Sequence, residues 1–246
     1  MKKRDYVKQV FYDSTGISTT KDIEIVLKDE DILSISAFLS GEKINNDPYN
    51  PKIDIIFESY LLELKKRMGK ENIPVFIKKK WPFGKEFAVA ITHDADRISV
   101  DIEHFNRVKD RFTEEVIQAF FQKNEDPYWN IEKIAEMEKE FGFRSSFYLL
   151  LSEYQIDSKL ETFTRLRDEG WEIGLHGGFN THNNTNELLK ELELFRNCFG
   201  NKSEGIREHY LKFDPRKTWD IMNELQLKYD TTWGFNKNPG FKASIS

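Results

Sequence analysis

Residues 145–176, "SSFYLLLSEYQIDSKLETFTRLRDEGWEIGLH", have the pattern of a strand, a helix and a second strand. The apolar run SSFYLLL is followed by DSKLETFTRLRDEG, which has apolar residues at helical spacing, a capping Asp157 or Ser158, and a terminal Gly170. The next run, WEIGLH, is again apolar. This order predicts two parallel strands that are joined by a right-handed helical crossover.

The same alternation continues on both sides of this unit. On the N-terminal side lie a strand pattern, EFAVAIT, and a helix pattern, NIEKIAEMEKEFGF. On the C-terminal side lie TNELLKELELFRNCFG, GIREHYL, DPRKTWDIMNELQ and KYDTTWGF, and the second of these helices is expected to start at an N-cap Asp214 with Pro215 at its first position. The pattern predicts an α/β fold of five parallel strands and four helical crossovers, as an open sheet or a barrel.

The alternation begins near Trp81, where KKKWPFGK resembles a connector. Before it, DIEIVLK alternates like a strand and DIIFESYLLELKKRMG has helical spacing with a stop at Gly69. We therefore expect a small α/β N-terminal region of unknown role over residues 1–80 and a larger α/β domain over 81–246. The 246 residues, 39% of them hydrophobic, can fill such a core.

Charge and composition narrow the classes of function. The net charge of −5 comes from 42 acidic and 37 basic residues that are mixed along the chain, which argues against a nucleic-acid partner. The N-terminus lacks the apolar core of a signal peptide, and no run approaches membrane-spanning length. We expect a cytoplasmic protein without a membrane-spanning segment. The single cysteine, Cys198, excludes an intramolecular disulfide and a thiolate metal cluster.

Polar side chains follow the predicted strands at their carboxyl ends. Asp94 and Asp96 follow the first strand, His176 ends the third, and Arg207 lies on the fourth. In parallel α/β folds the loops at this edge converge on a site. Two aspartates at a spacing of two can point the same way, and with a histidine they suit a divalent cation plus a general base. Taken singly, each residue could equally be a turn former or a structural residue.

The motifs resemble a known family. In order, they are FAVAITHDAD, GFRSSFYLL, WEIGLHGGFN and GIREHYLKFDPRKTWDIMNELQLKYDTTWGF. They are similar to the polysaccharide deacetylase family, also called NodB-homology or carbohydrate esterase family 4, in a branch with a THDVD-like first motif. The resemblance covers 81–246 and implies an irregular (β/α) barrel. It also implies a hydrolase that uses a divalent metal, zinc or cobalt, to remove an acetyl group from an acetylated amino sugar or polysaccharide precursor.

The resemblance also implies roles for single residues. Asp94 would be the catalytic base and Asp96 a metal ligand, although Ala95 separates them where the family has adjacent aspartates, so the two roles could be reversed. His176 matches the first metal-binding histidine. The family's second histidine would fall at Asn180, so either His182, two residues later, or Asn180 itself would complete the metal site.

Other residues are expected around the substrate. Arg207 matches the family arginine that orients the base, and Trp233 matches the tryptophan that walls the acetyl pocket. Tyr128 and Trp129 in DPYWN could stack on sugar rings, because aromatic faces suit sugars, or could serve only as helix staples.

Three further expectations concern what the chain lacks or could be instead. The family's last motif, which supplies a histidine acid, lies beyond the fifth strand, so we expect an incomplete barrel from a fragment or a truncated homologue. One alternative is a degenerate deacetylase fold that binds a glycan without cleaving it. A second is a phosphohydrolase that uses the adjacent pair His93 and Asp94, a family that is all-helical.

Overall fold

The computed structural model describes residues 2–19, 25–78 and 81–243. Contacts divide the chain into two compact units, Met1–Val89 with Trp233–Ser246, and Ala90–Thr232. The functional separation of 1–80 from 81–246 stays a prediction. None of the described helices combines the length and the apolar character that a membrane crossing requires.

The first unit is helical with a small sheet. Its elements are α1 (Lys3–Thr15), β1 (Ile17–Thr19), α2 (Asp29–Leu39), α3 (Lys52–Lys70) and β2 (Val75–Ile77). The two strands pair antiparallel, with Ile17 opposite Ile77. Helix α3 confirms the helix that the spacing predicts over 54–69.

The strand predicted from DIEIVLK is not present over residues 25–28, and its first residues lie outside the described part of the chain. Ile25 and Leu27 are buried in the core of this unit. The backbone amide of Ile25 donates to the hydroxyl of Tyr12 (3.2 Å), and that of Lys28 to the hydroxyl of Tyr60 (3.0 Å). Tyrosine hydroxyls on helices therefore satisfy amides that a neighbouring strand would otherwise bond.

The second unit contains a parallel sheet, as the alternation predicts. Its strands are β3 (Thr92–Ala95), β4 (Ser146–Leu149), β5 (Glu172–Gly177), β6 (Gly205–Glu208) and β7 (Tyr229–Asp230). They lie side by side in chain order and all four pairings are parallel. The connecting helices are α4 (Ile102–Val108), α5 (Glu114–Lys123), α6 (Ile131–Glu140), α7 (Leu160–Asp168), α8 (Thr185–Phe199) and α9 (Thr218–Glu224).

An apolar core holds the sheet, and α8 has a cap at each end, whereas α7 begins after Lys159 without the predicted side-chain cap from Asp157 or Ser158. Phe147, Leu149, Phe163 and Leu175 are completely buried in one cluster. Helix α8 is capped by the side chain of Asn184 and ends at Gly200, whose φ of 74° is the left-handed conformation that glycine adopts freely.

The first strand starts later than the sequence predicts. The apolar pattern places it at 86–92, whereas β3 is Thr92–Ala95. Its ladder with β4 begins where the amide of Ser146 donates to the carbonyl of Ile91 at 3.0 Å. Phe87 and Val89 are 74% and 73% exposed, so this apolar run is not a core strand. The aspartates that follow the run consequently lie within and directly after the strand.

Helix α9 also starts later than predicted, at Thr218 rather than after Asp214. The carboxylate of Asp214 accepts from the amide of Arg216 at 3.1 Å, and the amide of Asp214 donates to the hydroxyl of Thr218 at 2.9 Å. These bonds close a turn before the helix, so the aspartate forms a turn and does not act as the N-cap.

Two tyrosines lie directly over glycines of neighbouring strands. Tyr148 is opposite Gly174, and Tyr229 is opposite Gly205. A Cβ atom at Gly174 would lie 2.8 Å from Tyr148 Cδ1, and one at Gly205 would overlap the ring of Tyr229. The two hydroxyls are 3.3 Å apart. The buried Tyr148 ring therefore leaves room only for glycine at position 174, whereas a side chain at position 205 would require the partly exposed ring of Tyr229 to move.

Candidate metal centre and active site

Three potential metal ligands converge at the carboxyl ends of the strands. Asp96 follows β3, His176 lies in β5 and His209 follows β6. Asp96 Oδ1 lies 3.2 Å from His176 Nε2 and 3.4 Å from His209 Nδ1. The two histidine nitrogens are 3.1 Å apart. We call these three residues the carboxyl-end cluster; one ligand atom from each lies within 4.8 Å of the others.

The hydrogen bonds of His176 fix which of its nitrogens can bind a metal. His176 Nδ1 lies 2.7 Å from the carbonyl oxygen of Arg207. Because a carbonyl only accepts, Nδ1 carries the proton, and Nε2 of the neutral ring presents a lone pair to Asp96 and His209. Lone pairs that converge in this way fit a cation, and one carboxylate with two imidazoles is a zinc-type ligand set.

Exposure and titration also fit a catalytic metal site. The side chain of His176 is 2% exposed, whereas that of Asp96 is 57% exposed, which leaves solvent access on one side. The contact with His176, whose Nε2 can donate when the ring is protonated, lowers the pKa of Asp96 despite partial burial. Burial lowers the pKa of His209. Both shifts favour the deprotonated forms, which are the forms that bind a metal.

Asp94 is paired with Arg207 beside this cluster. Arg207 Nη1 donates to Asp94 Oδ1 at 3.0 Å. The same guanidinium donates from Nη2 to the hydroxyl of Thr92 (2.9 Å) and from Nε to that of Thr231 (3.2 Å). An arginine that is bound on three edges holds its carboxylate partner in one orientation.

The two pairs follow one spacing. Asp94 and Asp96 are two residues apart at the end of β3, and Arg207 and His209 are two residues apart at the end of β6. Asp94 contacts Arg207, and Asp96 contacts His209. Sequence reasoning missed His209 as a ligand, although its offset of two from Arg207 matches the offset of the aspartates and could have indicated it.

A cavity of about 920 Å³ is lined by Asp94 and by Asp96 and His209 of the carboxyl-end cluster. Its volume is in the range of small-molecule sites. Among the described residues, its walls include Asp94, Asp96, His209, Arg97, His104, Arg111, Tyr128, Glu153, Phe179 and Tyr210.

The predicted aromatic residues are placed differently from one another. Tyr128 lines the cavity, and its hydroxyl lies 3.3 Å from His104 Nε2. Trp129 packs edge-on against the core residue Phe163 (centroids 5.9 Å apart) and donates to Glu132. Trp233 belongs to the other unit, where the ammonium of Lys242 lies 4.4 Å from its ring centroid. Of the three, the structure brings Tyr128 to the cavity wall.

His182 and Asn180 are not in the carboxyl-end cluster. Nδ1 of His182 is buried and has no hydrogen-bond partner in the described part of the chain. The His182 carbonyl accepts from the hydroxyl of Thr218 at 2.7 Å, and burial lowers the pKa of its ring. Asn180 is exposed on the loop. The structure thus places His209, and neither of these residues, beside Asp96 and His176.

Buried acids hold the loop that follows His176. The amide of Gly178 donates to Glu191 at 2.9 Å. The hydroxyl of Thr181 lies 2.9 Å from the carbonyl of Gly178 and also contacts Glu208. Burial raises the pKa of Glu208 to about 8. These contacts fix the loop backbone directly after the candidate ligand.

A second polar cluster lies towards the amino ends of the strands. The carboxylate of Glu138 accepts from His93 Nε2 (2.8 Å), Ser145 Oγ (2.8 Å) and Trp171 Nε1 (2.6 Å). We call these four residues the amino-end cluster. His93 also stacks on Phe147, with centroids 4.9 Å apart. His93 therefore contacts Glu138 at the amino ends of the strands. Together with the parallel sheet, this arrangement is inconsistent with the all-helical phosphohydrolase alternative, which would use His93 and Asp94 as a pair.

Comparison with known proteins gives similarity at the level of fold. No protein-family model matches the sequence, and no curated protein matches it. Among solved structures, a Mycobacterium smegmatis protein provisionally classed as a polysaccharide deacetylase is 22% identical, with a TM-score of 0.46 over 63% of this chain and 54% of that chain.

Two further solved structures are similar over less of the chain. One is BA3943, a CE4 family pseudoenzyme from Bacillus anthracis, with 15% identity and a TM-score of 0.35 over 41% of this chain and 37% of that one. The other is the peptidoglycan N-acetylglucosamine deacetylase Bc1960, with 20% identity and a TM-score of 0.33 over 40% and 48%. The chain therefore spans about half of these structures or less. At these values the similarity carries no information about activity.

The class that the fold and site define is an α/β protein with a parallel sheet and a candidate Asp-His-His centre at its carboxyl edge. One of the solved structures above is described as a CE4 family pseudoenzyme and the other two as deacetylases, which is the class of protein that the motifs resemble.

Proposed function

We propose that the chain is a metal-dependent hydrolase that removes an acetyl group from an acetylated amino sugar or a polysaccharide precursor. The observation that supports this most is that Asp94, which Arg207 holds, lines one cavity with Asp96 and His209 of the carboxyl-end cluster. The motif resemblance supports the same reaction.

Asp96, His176 and His209 would hold the metal. A divalent cation in this position, with zinc as our first choice and cobalt as a substitute, would polarise the acetyl carbonyl and lower the pKa of water. The hydrogen bond from His176 Nδ1 to the Arg207 carbonyl orients one of these ligands.

Asp94 would act as the general base. Its Oδ1 is held by Arg207, and its second oxygen would accept a proton from the attacking water. The same oxygen would then return that proton to the departing amine nitrogen, while the second water proton leaves with the acid, so that water and amide yield acetic acid and amine with no net change in the enzyme. Arg207 is a positioning residue in this scheme, because it acts through Asp94.

The cavity wall supports a sugar ligand. Tyr128, Phe179 and Tyr210 are aromatic residues that line it, and Phe179 and Tyr210 are exposed. Flat aromatic faces of this kind stack on the apolar faces of sugar rings. The substrate contacts that the sequence predicts for Trp129 and Trp233 stay predictions.

Zinc titration calorimetry tests the metal site. We expect one-to-one binding by the wild-type chain. We expect His176→Ala and His209→Ala to weaken it by more than the about 10–100-fold that loss of an outer-shell partner costs. His182→Asn is the control, and its zinc affinity should stay within about twofold of wild type, with circular dichroism confirming that each variant is folded. Loss of binding in His182→Asn but not in His209→Ala would restore the ligand set inferred from the motifs.

Acetate release tests the reaction. With zinc and acetylated chitooligosaccharides, we expect release that is abolished by Asp94→Asn, while zinc binding by that variant is retained. Zinc-independent glycan binding by the wild-type chain with no acetate release would instead favour the glycan-binding alternative.

A further inference from the structure

Two arginines in the candidate active-site cavity have no partner among the residues that the structure describes. Arg97 directly follows Asp96, and Arg111 ends the 3₁₀ turn Lys109–Arg111 after α4. Both line the cavity and both are exposed. In the described part of the chain neither makes a hydrogen bond or an ion pair, and Arg97 acts on Asp96 only through the longer-range effect of its charge.

Most other arginines of this unit are engaged. Hydrogen bonds or ion pairs hold Arg144, Arg165, Arg167, Arg207 and Arg216. Arg107 and Arg196 also lack such a partner within the described residues, but neither lines the cavity. Within the described residues, Arg97 and Arg111 are thus the arginines that line the cavity and have a free guanidinium group.

The charges around the cavity leave a positive excess once a metal is bound. Asp94 is balanced by Arg207, and Asp96 faces the two histidines and the cation position. Glu153 is the remaining acid of the wall and offsets one arginine. Asp96 offsets one charge of a divalent cation, so one charge of the cation and the second arginine then remain, together with the His104 ring as a further polar group. Such a cavity favours a ligand with negative charge.

We propose that the acetylated sugar bound here carries a phosphate group, which Arg97 and Arg111 contact; this inference rests on the proposed function. The planar guanidinium matches the oxygens of a phosphate in a bidentate arrangement, and a phosphate ester carries about one and a half to two negative charges at pH 7. The volume of about 920 Å³ leaves room for a sugar and a phosphate-linked group. A sugar 1-phosphate and a nucleotide-linked sugar share this chemistry.

Binding is measured by calorimetry with three probes: neutral N-acetylglucosamine, N-acetylglucosamine 1-phosphate and uridine diphosphate N-acetylglucosamine. Each is titrated into the zinc-loaded chain and into the chelator-treated chain, because phosphate can also bind zinc directly. We expect the phosphorylated probes to bind at least about tenfold more tightly than the neutral sugar, with affinity that falls as salt is added. Preference for one phosphorylated probe distinguishes the two sources.

The variants Arg97→Gln and Arg111→Gln should each weaken binding of the phosphorylated probes by about tenfold or more, with and without zinc. They should change the affinity for the neutral sugar by less than about twofold, because a neutral sugar has no phosphate to pair with either arginine. The matched control is Arg196→Gln, which changes an exposed arginine that lies outside the cavity and has no side-chain partner among the described residues; this variant should bind like wild type.

Equal affinity for neutral and phosphorylated probes, or equal losses in the control and the cavity variants, would overturn the proposal. Failure of both phosphorylated probes to bind would do the same. Acetate release, measured in parallel, separates the two proposals. Arginine-dependent binding without acetate release leaves the phosphate subsite standing and removes the hydrolase. Acetate release that is insensitive to phosphate and to both arginines would support the hydrolase and overturn the phosphate subsite.

Discussion

The amino-end and carboxyl-end clusters of the unit Ala90–Thr232 each place a carboxylate beside histidine, yet their hydrogen-bonding atoms are satisfied differently. Glu138 accepts from three donors, His93, Ser145 and Trp171. In the carboxyl-end cluster, a carboxylate oxygen and the lone pair of His176 face each other. A fully satisfied buried carboxylate stabilises a fold, whereas converging acceptors need a cation. The same residue types thus serve structure at one end of the sheet and binding at the other.

The largest expected effect is on the amino-end cluster. Glu138→Ala would leave the donors of His93, Ser145 and Trp171 without their acceptor, and we expect the free energy of unfolding to fall by about 3–5 kcal/mol. Urea denaturation measures this change. The control is Glu140→Ala on the exposed side of the same helix, with an expected change below about 0.5 kcal/mol. Similar losses in the free energy of unfolding for both variants would mean that the amino-end cluster does not stabilise the fold.

The next effect concerns the carboxyl-end cluster and depends on zinc. At a zinc concentration of one hundred times Kd, we expect the wild-type chain to gain about 2.7 kcal/mol of stability. Asp96→Asn should lose this gain while its zinc-free stability stays within about 0.5 kcal/mol of wild type, because the side chain is exposed. Ser145→Ala should keep the full gain. Thermal unfolding with and without zinc tests all three chains.

A single donor of the amino-end cluster gives a smaller effect. Ser145→Ala removes one of three hydrogen bonds to Glu138, and we expect a loss of about 1 kcal/mol in the free energy of unfolding. The exposed Ser158→Ala serves as the control, with a change below about 0.5 kcal/mol. A loss in Ser145→Ala as large as that in Glu138→Ala would mean that the cluster acts as one unit.

The smallest effect is a change with pH. Burial raises the pKa of Glu138, but the hydrogen bonds from His93, Trp171 and Ser145 outweigh it, so the net pKa is lowered. A lowered folded-state pKa gives stability that is present above the unfolded-state pKa and is lost as pH falls through the folded-state pKa. The stability advantage of wild type over Glu138→Gln should therefore narrow on acidification below the usual range of a glutamate. A constant difference from pH 7 to acidic pH would contradict this.

The sequence predicted the parts of the fold that local pattern determines. The helices α3 and α8 follow apolar spacing and their terminal residues, and the parallel order of β4 and β5 follows from strand–helix–strand alternation. The start of β3 could not be predicted, because EFAVAIT is as apolar as a core strand and only pairing with β4 selects Thr92 as its beginning. The predicted start of α9 was wrong by three residues because hydrogen bonds of the Asp214 and Thr218 side chains compete with capping.

The candidate site divides in the same way. The aspartates, His176 and Arg207 could be recognised because they follow predicted strands. His209 was missed, and its offset from Arg207 is the one signal that could have indicated it, whereas Glu138 could not be assigned because it meets His93 from a helix 45 residues away. Contacts of this kind depend on tertiary packing, which local periodicity does not encode.

The rings of Tyr148 and Tyr229 restrict which residues can replace the opposite glycines during evolution. A side chain at Gly174 is tolerated only after Tyr148 has become smaller, so the tyrosine must change first. The constraint is weaker for Gly205 and Tyr229, because the partly exposed Tyr229 ring can move aside. In related chains each pair should therefore vary together, and a chain with a residue larger than glycine at position 174 should lack the tyrosine at 148. Mutations across this sheet would then accumulate in a set order.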